Sequence, residues 1–150
     1  MKYRKNLRIK GYNYKNNGYY FITICTAMRR PLLEEYRADV ERLLKDAVER
    51  FSGVRIDFYS ILPDHLHVIF ILDNSNTTVG NIVRTFKARV TRTTGYKPFW
   101  EWNYYEHIIR DERALYNIRK YINENPLKEQ INWDDIYSGI NATATKNNKL

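Results

Sequence analysis

The sequence contains little of what secreted or membrane proteins need. Its 150 residues include one cysteine, Cys25, and no apolar run approaches the roughly 20 residues that cross a bilayer. One cysteine cannot build a disulfide framework, which favours a reducing compartment. The basic segment Met1–Lys5 is followed by no apolar core of a secretory signal. We therefore expect a cytoplasmic protein that has no membrane partner.

Negative charge is also scarce, whereas positive charge and aromatic rings are abundant. The chain has 25 Lys and Arg against 17 Asp and Glu, a net charge of +8, and 15% aromatic residues with 13 tyrosines. Lysine and arginine meet phosphates, and ring faces stack on unpaired bases. Composition alone leaves two interpretations open, a nucleic-acid-binding domain or a basic domain whose tyrosines serve packing.

The apolar patterns predict an α+β domain. The predicted strands are Tyr19–Thr26, Val54–Leu62, His65–Leu72 and Tyr104–Ile109. The predicted helices run from Glu35 to Phe51, from Val79 to Gly95, and from Asp111 to Asn125. This βαββαβ order followed by a helix is that of a ferredoxin-like or RRM-like antiparallel sheet. We expect two helices on one face, an open second face and a C-terminal helix that carries Tyr121.

One domain is expected over residues 1–136. Residues 1–18 are basic and polar and are predicted to form an arm that ends in a turn. Residues 137–150 are small, polar and rich in Lys and Asn, which predicts a flexible tail. No internal repeat and no linker divides the domain.

Two histidines occupy alternate positions of the third predicted strand. Side chains alternate along a strand, so His65 and His67 share one face and Leu66 points to the other. Imidazoles about 6–7 Å apart along a strand can turn toward one divalent cation. A His-x-His pair also fits ordinary surface or core histidines. The pattern therefore indicates a metal site without deciding for it.

The last predicted helix carries a tyrosine at the edge of its apolar stripe. Tyr121 and Asn125 are four residues apart and share a helix face, while Ile118 and Ile122 point to the core. Tyrosines beside a core stripe usually serve packing. Spacing alone does not separate that role from catalysis.

Basic residues lie off the apolar stripe of the second predicted helix and in the N-terminal arm. The candidate DNA contacts are Arg84, Lys87, Arg89, Arg92, Arg8 and Lys10. A charged helix face can equally be a solvated one. The segment Phe99–Trp102 carries three aromatic rings, which either stack bases or pack under a strand.

Six segments, in this order, resemble the single-tyrosine HUH transposases, particularly the REP-associated tyrosine transposases. The segments are Arg8–Tyr14, Tyr20–Thr26, Leu62–His67, Phe86–Arg89 with Thr91, Tyr104–Arg110 and Tyr121–Pro126. Together they span most of the chain and leave out its tail. Several segments in the right order are far more specific than any one of them.

The resemblance implies a role for each matching residue. His65 and His67 would bind Mg²⁺ or Mn²⁺, and Asn125 would help to complete the metal site, where many relatives have Gln. Two imidazoles alone favour a softer ion, so water and phosphate oxygens would supply the remaining ligands. Tyr121 would be the nucleophile. Glu106 and His107 fall in a matching segment, where they either tune the site or close a structural hydrogen bond.

The activity that the resemblance implies is cleavage of single-stranded DNA beside a hairpin through a 5′-phosphotyrosine, followed by strand transfer. Such an enzyme either moves its own element or acts on dispersed genomic hairpins. Two alternatives stay open, a single-strand-binding module of the same sheet architecture and a metal phosphohydrolase that attacks with water. Relatives include monomers and dimers that exchange the tyrosine helix, so a homodimer is also possible.

Overall fold

A four-stranded antiparallel sheet forms the centre of the protein. The structure is a computed structural model and describes residues 17–125 and 131–138. The strands are β1 (Gly18–Cys25), β2 (Val54–Ile61), β3 (His65–Leu72) and β4 (Tyr105–Ile109). Their order across the sheet is β2-β3-β1-β4, and every neighbouring pair is antiparallel. The predicted strands are confirmed, with ends that differ by at most one residue.

Helices connect and cover the strands. They are α1 (Leu32–Glu35), α2 (Arg37–Glu49), α3 (Val79–Thr94), α4 (Glu112–Glu124) and α5 (Trp133–Tyr137). None of these described helices has the length and apolar character that a membrane crossing requires. The predicted first helix, Glu35–Phe51, corresponds to α2, whereas α1 before it and α5 were not expected. The resulting order, βαββαβ followed by α4, is the predicted one.

Local capping explains where the two long C-terminal helices begin. The Thr78 side chain accepts a hydrogen bond from the backbone N–H of Asn81 and so caps α3. Asp111 accepts one from the backbone N–H of Ala114 and caps α4. Each cap satisfies a backbone donor that has no partner inside the helix. Gly95 ends α3 in the left-handed region, at φ 71°, which glycine adopts without steric cost.

The larger core lies between one sheet face and helices α2 and α3. On β3, Leu66, Val68, Phe70 and Leu72 point into this core, together with Ile22 of β1. The apolar stripes of α2 and α3 face them with Val40, Leu43, Leu44, Ile82, Val83 and Phe86. The prediction that Leu66 points to the face opposite His65 and His67 is confirmed, and that face packs against the helices.

The second sheet face is covered as well, which corrects the expectation of an open platform. A separate core cluster joins Phe21 of β1 and Ile69 of β3 to the buried side of α4 and to Ile136 of α5. The apolar residues that α4 contributes are Ala114, Leu115, Ile118, Tyr121 and Ile122. Because the first face is occupied by α2 and α3, the stripe of α4 is buried on the second face.

A β-bulge in β2 redirects its side chains. Ile56 pairs with Phe70 and Phe58 pairs with Ile69, so Asp57 is an extra residue in the ladder. Ile56 therefore packs against the larger core and Phe58 against the cluster under α4. Uninterrupted alternation would place Ile56 and Phe58 on one face, and the extra residue places them on opposite faces.

Candidate active site

The two histidines form an adjacent, buried pair at the start of β3. His65 is 2% exposed and His67 is 0% exposed. Their ring centroids lie 4.9 Å apart at an interplanar angle of 75°. Both side chains point to the sheet face that α4 covers, because Ile69 follows them in the alternation and packs there. The sequence prediction that the imidazoles share a face is confirmed.

Each imidazole is oriented by a neighbour through its Nδ1 atom. His65 Nδ1 donates a hydrogen bond of 2.8 Å to the Asp64 carboxylate. His67 Nδ1 lies 2.9 Å from the hydroxyl oxygen of Thr23, the residue opposite it in the β1–β3 register. Such contacts fix the ring orientation of metal-binding histidines. A cation at this pair would therefore be bound through the two Nε2 atoms.

The available donor atoms fit a divalent cation whose other ligands are oxygens. Within residues 17–125 and 131–138, no third His, Cys, Asp or Glu joins the pair to form a metal-binding group. Cys25 lies opposite His65, and burial raises the pKa of its thiol; sulfur is a soft ligand that suits softer ions than Mg²⁺ or Mn²⁺. The amide nitrogen of Asn125 donates to the Tyr121 carbonyl at 3.1 Å, so a contact from Asn125 would use Oδ1.

Helix α4 brings Tyr121 to the histidine side of the sheet. Tyr121 is 2% exposed and belongs to the same core cluster as Phe21 and Ile69. The Phe21 ring stacks on His67, with centroids 5.4 Å apart and an interplanar angle of 25°. The sequence predicted Tyr121 at the edge of the apolar stripe, whereas the structure buries it. The histidine pair and Tyr121 therefore lie on the same face of the sheet. Phe21 links them, because it contacts His67 and packs in the same core cluster as Tyr121.

An open cleft begins beside the histidine pair. Its volume is about 360 Å³, and its walls include Thr23, Cys25, Asn103 and Tyr105. Thr23 and Cys25 are the register partners of His67 and His65, so the cleft lies beside the histidine pair. An ion pair between Arg29 and Glu101, 3.1 Å long, forms another part of the wall. Sequence reasoning missed this wall because its residues come from three separate segments.

The basic residues that were predicted to contact DNA differ in their exposure and in their partners within the chain. Arg84 and Arg92 of α3 are exposed. Lys87 donates to the backbone carbonyls of Glu101 and Trp102 at 2.8 and 3.2 Å, and burial lowers its pKa. Arg89 forms an ion pair of 3.1 Å with Asp46 of α2. Lys87 and Arg89 therefore stabilise their own chain, and their contact with DNA stays a prediction. The predicted contacts Arg8 and Lys10 lie outside the described residues.

His107 closes a structural contact between β4 and α5. Its ring stacks on Trp133, with centroids 3.6 Å apart and an interplanar angle of 6°, and its Nε2 lies 2.9 Å from the Tyr137 hydroxyl. Burial, assisted by the charge of Arg110, lowers the pKa of His107 to about 4. Of the two roles considered for His107, these contacts favour the structural one. Glu106 is exposed and accepts a hydrogen bond of 3.4 Å from Tyr104.

Comparison with known proteins identifies the family. The family model described as "Transposase IS200 like" matches residues 14–125, a range that includes both histidines, Tyr121 and Asn125. The chain belongs to the IS200-like transposase family. The resemblance that the six sequence segments indicated is therefore confirmed.

Curated relatives agree with this assignment. The chain is similar to an uncharacterized protein of Haemophilus influenzae Rd, with 34% identity over 160 residues that cover 83% of this chain and 89% of the relative. It is also similar to the REP-associated tyrosine transposase of Escherichia coli K12, with 28% identity over 115 residues that cover 77% of this chain and 70% of the relative.

Solved structures share the fold of this chain. A REP-associated tyrosine transposase bound to a REP hairpin matches with a TM-score of 0.68 and 24% identity, over 80% of this chain and 72% of that one. A putative transposase from Deinococcus radiodurans matches with a TM-score of 0.53 and 18% identity, over 78% of this chain and 97% of that one. At these identities the likeness establishes the architecture.

Proposed function

We propose that this IS200-like transposase is a metal-dependent endonuclease and strand transferase that cleaves single-stranded DNA beside a hairpin through a phosphotyrosine at Tyr121. One observation carries the proposal. The oriented pair of His65 and His67 and the helix of Tyr121 lie on the same sheet face, next to an open cleft. A module that only binds nucleic acid needs neither paired imidazoles nor a tyrosine on the same face of the sheet.

His65 and His67 would hold Mg²⁺ or Mn²⁺, with Asn125, water and phosphate oxygens as further ligands. When bound, the cation polarises the scissile phosphate and offsets the charge that develops on it. The Asp64 carboxylate and the Thr23 hydroxyl keep the two rings in the orientation that such binding needs.

The covalent step is assigned to the Tyr121 hydroxyl. Its oxygen attacks the phosphorus, and a new oxygen–phosphorus bond forms as the bond between phosphorus and the 3′ oxygen breaks. Tyrosine loses its proton, the departing 3′ oxygen takes one up, and the DNA is left with a free 3′-OH and a 5′-phosphotyrosine. The link conserves the bond energy, so a later attack by a 3′-OH can rejoin DNA without a nucleotide cofactor.

The burial of Tyr121 adds a requirement to this step. At 2% exposure, its side chain can meet DNA only after the side chains around it move. The end of α4 is the place where such movement is least costly, because helix termini have fewer backbone hydrogen bonds than helix interiors.

Hairpin DNA is the proposed partner. The net charge of +8 suits a polyanion, and the fold neighbour that was solved with a REP hairpin supports this class of ligand. Of the predicted basic contacts within the described residues, Arg84 and Arg92 are the exposed ones. Packing of α4 on its own sheet supports a tyrosine that acts within its own chain, and the homodimer stays a prediction.

The deciding experiment traps the covalent intermediate. DNA hairpins with randomised unpaired flanks and a label at the 3′ end are incubated with protein and Mn²⁺, then run on a denaturing protein gel. We expect a labelled band at the position of the protein for the wild type and none for Tyr121→Phe, which should still bind the hairpins. Tyr116→Phe, a change at an exposed tyrosine of the same helix, is the matched control and should form the adduct.

Three results would contradict the proposal in different ways. An adduct formed by Tyr121→Phe would exclude this residue as the nucleophile. Cleaved DNA without a protein-linked label would indicate hydrolysis by water. Hairpin binding without cleavage or adduct would indicate a module that only binds.

A further inference from the structure

One large aromatic side chain stands almost entirely in solvent. Within the segment Phe99–Trp102, Phe99 is 1% exposed and Trp100 is 9% exposed, whereas Trp102 is 91% exposed. Phe99 and Trp100 belong to the larger core. The first two rings therefore serve packing, and Trp102 contributes little to the stability of the fold.

The backbone that presents Trp102 is firmly held. The Glu101 N–H donates to the Cys25 carbonyl at 2.9 Å and continues the contact of this segment with β1. The ammonium group of Lys87 donates to the carbonyls of both Glu101 and Trp102. Trp100 Nε1 in turn donates to the Lys87 carbonyl at 3.2 Å. Trp102 is thus displayed from a fixed position, which lowers the entropy that a ligand would have to remove.

Trp102 borders a groove that adjoins the cleft beside the histidine pair. The groove has a volume of about 450 Å³ and is lined by Arg84, Lys87, Trp102, Asn103 and Tyr104, among others. Asn103 and Tyr104 also line the cleft beside the histidine pair. The two spaces therefore adjoin across these two residues.

The charge of this groove suits a strand of DNA. Its described lining includes two basic side chains, Arg84 and Lys87, and no carboxylate. Two carboxylates lie close to it: Glu106 accepts the hydrogen bond from Tyr104, and Glu101, whose charge acts on Lys87, is paired with Arg29. Basic grooves that carry an exposed aromatic ring are the usual means of holding a single strand, because cations follow the phosphates while the ring stacks on a base.

We propose that Trp102 stacks on an unpaired base of the DNA flank, and that the groove beside Arg84 guides this strand into the active-site cleft. The inference rests on the proposed function, since it assumes that the cleft receives the unpaired flank. It assigns a base-binding role to a residue other than His65, His67 and Tyr121. Stacking on one aromatic ring is worth roughly tenfold in affinity.

The test distinguishes stacking of Trp102 on a base from contacts of the protein with the phosphates. Two hairpins are compared that share the same duplex, one with an unpaired oligothymidylate flank and one whose flank has the same length but is abasic. Binding is measured by fluorescence anisotropy in the Tyr121→Phe background, so that no covalent product forms. We expect Trp102→Ala to bind the thymidylate flank roughly tenfold more weakly and to bind the abasic flank as the parent protein does.

Two control variants are measured in the same binding assay. Trp102→Phe keeps a stacking ring and should restore most of the affinity for the thymidylate flank. Tyr116→Ala removes another exposed aromatic ring, on α4, and should change neither affinity. Because Trp102 is exposed, its replacement should leave the melting temperature unchanged.

The inference is overturned if Trp102→Ala weakens the binding of both hairpins equally. It is also overturned if the parent protein binds the thymidylate flank and the abasic flank with the same affinity. The first result would assign Trp102 a role other than base stacking, and the second would mean that no base is bound there. The adduct assay reports separately on the proposed function. If the adduct forms but Trp102→Ala does not change DNA binding, only this inference is removed. If Trp102→Ala weakens binding of the thymidylate flank alone but no adduct forms, only the proposed chemistry is removed.

Discussion

Arg119 of the tyrosine helix binds Asp57, the bulged residue of β2. Its Nε donates to one carboxylate oxygen of Asp57 at 2.8 Å, and its Nη2 bonds to the other, so the contact is bidentate. The Asp57 side chain is 11% exposed and that of Arg119 is 40% exposed. The bulge that inverts the alternation of β2 therefore also supplies an anchor for α4, two residues before Tyr121.

Arg119→Gln should loosen this anchor. It leaves the mostly buried Asp57 carboxylate without its bidentate partner, which we expect to cost about 1 to 2 kcal/mol of unfolding free energy after allowance for solvent screening. The rate of adduct formation should fall as well, because α4 positions Tyr121. Urea unfolding and the adduct assay measure the two effects.

Arg42→Gln is the matched control for that change. Arg42 pairs with Asp39 on the exposed side of α2, where the side chains are 58% and 42% exposed. Exposed pairs of this kind contribute less than about 1 kcal/mol. If both variants lose the same stability and keep the same adduct rate, the contact between Arg119 and Asp57 is not an anchor.

Thr23→Val should weaken metal binding without removing a ligand. The hydroxyl of Thr23 orients His67 through its Nδ1 atom, and loss of such a contact typically weakens a metal site by roughly tenfold to a hundredfold. Isothermal titration with Mn²⁺ measures the affinity. Thr23→Ser retains the hydroxyl and should restore binding. A Thr23→Ser protein as weak as Thr23→Val would show that the side chain acts through packing instead.

His65→Ala and His67→Ala should each abolish measurable Mn²⁺ binding, because two imidazoles are the nitrogen ligands proposed for the cation. The chain has a third histidine, His107, which provides an internal control. Its ring is held between Trp133 and Tyr137, so His107→Gln should bind Mn²⁺ as the wild type does. Loss of binding in His107→Gln with retention in His67→Ala would place the cation elsewhere.

The sequence predicts the elements of this protein well because their signals are local. β3 follows the turn at Pro63 and alternates without interruption, and its bounds are those predicted. Capping residues Thr78 and Asp111 mark the starts of α3 and α4 in the sequence itself. The shared face of His65 and His67 follows from the same alternation.

The parts that the sequence does not predict depend on long-range contacts. Thr23 orients His67 across 44 residues of chain, and only the β1–β3 register brings them together. The bulge at Asp57 adds one residue to β2 without a local mark. Helix α5, with five residues, is too short to show a periodic pattern. The burial of Tyr121 follows from α4 covering the second face, which no local pattern could indicate.

Protonation of His107 should destabilise the contact between β4 and α5 as the pH falls. Burial, and secondly the charge of Arg110, lowers the pKa of this residue from 6.5 to about 4. The unfolded chain therefore takes up a proton near pH 6.5, whereas the folded chain resists protonation until about pH 4. The contribution of His107 to the free energy of unfolding is therefore at its full value above the pKa of the unfolded chain. It is lost as the pH falls toward the pKa of the folded chain. After allowance for solvent screening, the loss should be about 1 to 2 kcal/mol.

Urea unfolding from neutral pH down to pH 4, compared with His107→Gln, measures this loss. Other groups also titrate in this range, so the informative quantity is the stability of the wild type minus that of the variant. Because Gln does not titrate, this difference should shrink as the pH falls and should level off near pH 4, where the folded protein also binds the proton. A difference that stays constant over the range would mean that the imidazole is equally easy to protonate in both states, and that its stacking on Trp133 does not exclude water.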